Sequence, residues 1–121
     1  MCQDEAVNSE AYRRGIALFN RAHFYEAHEV LEDVWRAAHG AEKRFLQALI
    51  QLAVGLHHYS TGNLAGARSL LARGGRKLAE YPAAYGGIHV GKLRAAVRKW
   101  EAALEQGQPA PPLPRVERAR R

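Results

Sequence analysis

Phe24-Tyr25-Glu26-Ala27-His28-Glu29-Val30-Leu31-Glu32-Asp33-Val34-Trp35 is the stretch on which the reading of this chain turns. Wound at about 3.6 residues per turn, Phe24, Ala27, Leu31, Val34, Trp35 and, further on, Ala38 share an arc of roughly 100°, the apolar stripe of a helix with one face in water. His28 falls at the edge of that arc. Glu32 and Glu29 lie beyond it on the polar side, so the helix carries an imidazole and a carboxylate to the border between core and solvent.

Working outward, the same periodicity gives four more helices. Ser9 is an N-cap for a helix marked by Tyr12, Ile16 and Phe19 that ends near Arg21, and its Gly15 implies the close approach of a neighbour. Ala22 and His23 turn into the central stretch, which runs to Ala38 and stops at His39-Gly40. From about Ala41 to Ser60, Phe45, Leu46, Leu49, Ile50, Leu52, Ala53, Val54 and Leu56 fill an arc of roughly 200°, too wide for a surface helix. This third helix should be central, with Gln47, Gln51 and His58 forming a narrow polar stripe. Thr61-Gly62-Asn63 is a turn, and Asn63 caps a fourth helix from Leu64 to about Glu80. Its Gly74-Gly75 predicts a bend or a tight crossing. The loop from Pro82 to Gly91 then leads to a fifth helix bearing Leu93, Val97, Trp100 and Leu104.

An offset of 40 residues aligns Gly15 with Gly55, Phe19 with Tyr59, Phe24 with Leu64, Ala27 with Ala67 and Leu31 with Leu71. Two helical hairpins of one design follow, with small residues placed as at the helix crossing of a tetratricopeptide repeat. The expected fold is all-α: a compact five-helix bundle of two hairpins plus a closing C-terminal helix, in one domain over residues 1–107. Trp35 and Trp100 are expected core anchors. Beyond Gly107, the proline-rich run and its arginines read as a flexible tail over 108–121.

With 47% hydrophobic and 25% charged residues, the composition is that of an ordinary globular domain. No run reaches the roughly 20 apolar residues of a membrane span, and the first 15 residues lack an apolar signal core, so a cytoplasmic protein without membrane contact is expected. The lone Cys2 has no internal disulfide partner. Net charge is +6, and half of it sits in the tail, where Arg115, Arg118, Arg120 and Arg121 face only Glu117. The rest reads as spread without a basic stripe, which leaves the tail as the one expected route to nucleic acid.

The polar cluster admits two readings. In the first, His28 and Glu32, one turn apart, and His57 on the facing helix are ligands of a divalent metal ion, with Glu29 as general base of a hydrolase-like enzyme. His28-Glu29-Val30-Leu31-Glu32 departs from the zinc-protease His-Glu-x-x-His by ending in Glu. In the second, the imidazole and carboxylate form a buried hydrogen-bond network that fixes helix register, with Gln47 and Gln51 pairing to a neighbouring helix. The protein is then an interaction or scaffold module for a peptide or a second copy of itself. No serine elbow or phosphate-binding glycine loop is present.

The His-Glu-x-x-Glu-x-x-Trp core at His28–Trp35, the run Phe45–Gln51, Leu56-His57-His58, and Gly62-Asn63 with Ala67 together resemble the domain-of-unknown-function family numbered 309, over about residues 12–81. That resemblance implies a compact all-α bundle and no established activity. The family pattern falls on His28, Glu29, Glu32, Trp35, Gln47 and His57.

Overall fold

The computed structural model describes residues 6–119. A 3-10 turn, Ala6–Asn8, precedes α1 (Glu10–Asn20), α2 (Phe24–Ala37), α3 (Gly40–Ser60) and α4 (Leu64–Leu78). A minimal hairpin of β1 (Ala84–Tyr85) and β2 (Ile88–His89) then leads into α5 (Val90–Gln106). The all-α bundle is the fold the periodicity predicted. The expected fraying of residues 1–8 lies partly outside the described residues; Val7 is buried.

The helices begin and end where local chemistry dictates. Ser9 Oγ accepts from the Tyr12 amide at 3.1 Å, and Asn63 Oδ1 accepts from the Gly66 amide at 2.9 Å, each satisfying an amide that lacks an intrahelical partner. α3 is central as expected: it packs on both α2 and α4, with Phe45, Leu46, Leu49, Leu52 and Leu56 all within 1% of complete burial. Each such side chain contributes about 1.5–3 kcal/mol by leaving water.

The 40-residue offset is a real structural repeat. Arg21, Ala22 and His23 donate to Leu18, Phe19 and Leu18 carbonyls, and Thr61, Gly62 and Asn63 donate to His58, Tyr59 and His58 in the same pattern. A Cβ on Gly15 would lie 2.7 Å from Leu31 Cδ2, and one on Gly55 would lie 3.3 Å from Leu71 Cδ2. Each hairpin therefore closes on a glycine facing the same leucine of its second helix. Gly74 makes the tight crossing expected of it, since a Cβ there would stand 2.8 Å from Leu52 Cδ2.

Two departures from expectation concern the C-terminal third. The loop after Pro82 contains the β hairpin, whose two-residue turn, Gly86-Gly87, has both φ angles positive (59° and 76°), as a type I′ turn requires. The flexible tail expected over 108–121 is instead, through residue 119, a docked strap. Asn20 clamps the Val116 backbone with two hydrogen bonds of 2.9 and 2.8 Å. Trp100 Nε1 donates to Pro112 O at 2.9 Å, the His89 amide donates to Glu117 O at 2.8 Å, and Val116 is buried. Proline fixes φ beforehand, so ordering this run costs less chain entropy than its composition suggested.

Two predictions follow from this geometry. Ala22 holds φ +66° where its counterpart Gly62 holds +88°, a region costly to any residue with a Cβ. Ala22→Gly is expected to raise unfolding free energy in urea by about 0.5–1 kcal/mol and Gly62→Ala to lower it by a similar amount; equal effects of the two would contradict the equivalence of the turns. Tyr12 is buried, donates its hydroxyl to Gly86 O at 2.7 Å, and has its pKa pushed well above the usual 10.0 by burial first, then by Tyr85 and Glu42. The folded state therefore holds the phenolic proton more tightly than the unfolded chain. Stability is full below pH 10 and falls as pH rises past it. Tyr12→Phe should cost about 1 kcal/mol at neutral pH and flatten that alkaline decline.

Candidate functional site

α2 and α3 run side by side, and the residues along their outer seam are neither buried nor free. On α2 the row is Tyr25, His28, Glu32 and Trp35; on α3 it is Lys43, Gln47, Ile50, Val54 and His57. Their spacings, 3-4-3 and 4-3-4-3, keep each row on one side of its helix. Tyr25 is 53% exposed and the other eight are half-buried. At one end the Tyr25 ring lies 5.3 Å from that of His57 and 5.2 Å from that of His28. At the other, Lys43 Nζ sits 4.1 Å from the centre of the Trp35 ring, in cation-π contact. From Tyr25 to Trp35 the seam is about 15 Å long, at 1.5 Å rise per residue.

His28 Nδ1 lies 3.1 Å from the Tyr25 carbonyl. A carbonyl only accepts, so Nδ1 carries the hydrogen and Nε2 is left as the lone-pair nitrogen of the neutral ring. That Nε2 stands 3.8 Å from Glu32 Oε1, with 20% and 42% of the two side chains exposed. The pair is thus at a half-open border, not the buried network that the sequence suggested; no polar or charged residue is buried among those described.

His57 does not join that pair as a third metal donor. Among the described residues no three His, Cys, Asp or Glu side chains form a group that could hold a metal ion, and the Tyr25 ring packs against both imidazoles. Glu29 is exposed. The expected polar set of Gln47, Gln51 and His58 also separates: Gln51 Oε1 accepts from Lys77 Nζ at 2.9 Å, while His58 Nδ1 faces the Asn63 amide at 3.4 Å. Of the two expected anchors, Trp100 is 1% exposed and packs edge-on against Tyr59 at 4.9 Å. Trp35 is only half-buried, and its Nε1 is a buried donor with no partner. Unpaired indole N–H groups are uncommon because they lose their water hydrogen bond without replacement.

The sequence reading missed Tyr25, Lys43, Ile50 and Val54 as members of this seam. The 4-3-4-3 spacing was visible, but Ile50 and Val54 were absorbed into the wide apolar arc of α3.

What fold and seam define is an all-α domain of two like helical hairpins closed by a fifth helix, with a half-exposed aromatic and imidazole seam between the second and third helices. Residues 12–70 match the model of the domain of unknown function DUF309, the family that the motif resembles. The chain is 32% identical over 92 residues, 75% of its length, to an uncharacterized protein of Aquifex aeolicus (strain VF5). It is 42% identical over 50 residues, 40% of its length, to the uncharacterized protein YpuF of Bacillus subtilis (strain 168). The matched regions span 28% and 29% of those relatives' own lengths. Among the described residues no helix is long and apolar enough to cross a membrane.

Proposed function

We propose that this domain is a helical interaction module whose α2–α3 seam receives an amphipathic helix with a basic flank. The observation that carries the reading is the repeat itself. At the positions equivalent to Tyr25, His28, Glu32 and Trp35, the second hairpin has Ala65, Arg68, Ala72 and Gly75, so a helical hairpin of this design does not need the large side chains. Their cost, an exposed tyrosine and a half-exposed Trp35 ring, is offset when a partner covers the ring faces. Helical hairpins similar to tetratricopeptide units suit such docking.

Charge selects the partner. α2 bears Glu26, Glu29, Glu32 and Asp33 against Arg36, so two copies meeting seam to seam about a twofold axis would oppose like charges. A separate helix with lysines beside its apolar stripe has the complementary pattern. The metal-dependent alternative has support only from His28 Nε2 and Glu32 and needs a third donor that His57 does not provide. The tail, being docked, is a weaker candidate for nucleic acid than its composition suggested.

The test is a titration of the protein with a helical peptide of about three turns carrying leucines at 3-4 spacing and flanking lysines. Trp35 reports through its fluorescence, since Trp100 is enclosed. Binding is expected to shift Trp35 emission, to weaken at least about tenfold (1.4 kcal/mol) with Tyr25→Glu or Ile50→Asp, and to fail when the lysines become glutamates. Equal binding of both peptides, or indifference to the seam substitutions, would rule the docking face out. Stoichiometric zinc lost in His28→Ala would instead favour the metal reading.

A further inference from the structure

The docked strap forms one wall of an open cleft. Between α1, the Gly86-Gly87 turn and residues 115–119 lies a cavity of about 820 Å³. That is the size of a small-molecule site, for which roughly 300–1,000 Å³ is usual. Its cations come from two distant parts of the chain, Arg13 on α1 and Arg115 and Arg118 on the strap. Its apolar lining includes Ile88 and Val116, both buried, and Ile16, half-buried.

The charge in this cleft is not balanced by the protein. Among the described residues Arg13, Arg115 and Arg118 have no acidic partner within 4 Å. Arg13 donates from Nη1 to the Asn8 carbonyl at 2.6 Å, which fixes its guanidinium and leaves other donors open. The acid that lines the cleft, Glu117, is engaged: its Oε1 accepts from Lys92 Nζ of α5 at 3.1 Å. Strand geometry accounts for the division. Arg118 pairs antiparallel with Ile88, flanked by hydrogen bonds from the His89 amide to Glu117 O and from the Ala119 amide to Gly87 O. Directly paired residues share a face and successive residues of an extended chain alternate, so Arg118 lies on the face of Ile88 and Glu117 on the opposite one, with Lys92.

We propose that this cleft binds a small organic phosphate monoester, its phosphate held by Arg13, Arg115 and Arg118 and its apolar part laid against Ile16 and Ile88. A planar guanidinium matches phosphate oxygens two at a time. A monoester carries close to two negative charges and three acceptor oxygens at neutral pH, which answers three cations better than a single carboxylate does. A bare inorganic ion would leave most of the volume and the apolar lining unused. The aromatic residue of the lining, Tyr12, is 2% exposed, so a nucleic-acid base has no platform to stack on. Because the arginines belong to α1 and to the strap, the ligand ties the two together. No residue of the α2–α3 seam lines the cleft, so this site stands apart from the docking face.

Isothermal titration of the full chain with naphthyl phosphate, beside inorganic phosphate and naphthalene sulfonate, tests it. Saturable binding is expected for the monoester, and binding weaker by at least about tenfold for each of the other two. Arg118→Gln and Arg13→Gln should each weaken the monoester at least about tenfold, while Arg98→Gln on α5 and Tyr25→Glu in the seam leave it unchanged. Hydrogen exchange locates the ligand without any substitution: the Val116 and Ala119 amides, which hold the strap, should exchange more slowly in saturating naphthyl phosphate. If Arg13→Gln does not fold, Arg118→Gln, at an exposed side chain, and the exchange measurement still decide. Absence of binding would overturn the proposal. So would equal affinity for inorganic phosphate or the sulfonate, which marks an adventitious ion only, indifference to Arg118→Gln, or protection that arises away from the strap. Tighter binding to phosphatidic acid vesicles than to the soluble monoester would assign the same chemistry to a lipid headgroup and overturn the free ligand.

Discussion

Glycine against leucine at the crossing of each hairpin is the contact on which the architecture depends. With no Cβ at Gly15 and Gly55, the second helix of each pair comes within van der Waals reach of the first helix's backbone, and Leu31 and Leu71 fill the space. Both hairpins then have nearly one geometry, ended by the same turn. α2 and α3 are the inner members of this arrangement, and their antiparallel course brings Tyr25 to His57 and Trp35 to Lys43. An added methyl group at either glycine would push the hairpin open by tenths of an ångström, and the seam would move with it.

The C-terminal strap has a different task. Its hydrogen bonds go to Asn20 of α1, Trp100 of α5 and the β2 strand. It closes the ends of the bundle around Trp100 and Val116, where the first and last helices would otherwise leave apolar surface wet. None of those bonds reaches the outer row of α2 or α3. Among the described residues the strap therefore leaves Tyr25, His28 and Trp35 uncovered.

How much of this was legible follows from what each signal depends on. The helices, Ser9 and Asn63 as caps, the centrality of α3 and the glycine-dependent hairpin repeat are set by neighbours within a turn or two, and the residues announce them. Burial at the edge of a stripe is set by the next helix over. Trp35 and His28 lie on that edge, so periodicity alone could not tell a core anchor or a sealed imidazole from a half-open one. His57 was assigned to the metal set because it faces α2, but the Tyr25 ring, a residue that carries no motif, occupies the approach. The strap was misread for a related reason: Pro and Arg are rare in cores, yet Pro112 offers a carbonyl and Val116 an apolar side chain, and only the positions of Trp100 and Asn20 make those useful.

The repeated hairpin lets the two halves of so small a fold carry different outer side chains. The 40-residue offset sets Glu29 against Ser69, Glu32 against Ala72 and Asp33 against Arg73, so three acids of α2 have no acidic counterpart on α4, while Arg36 and Arg76 are alike. Phe24 is buried edge-on against Phe19. At the equivalent place Tyr59 turns to Trp100 of α5 and leaves Leu64 half in water. The shared core positions are the ones that close each hairpin, and those that differ lie outside it. A scaffold held by glycine, alanine and leucine leaves its outer side chains energetically uncommitted, because solvent-facing substitutions change stability by only about 0.5 kcal/mol. Acidic and aromatic side chains on α2, and arginines with small residues on α4, are therefore not demands of folding.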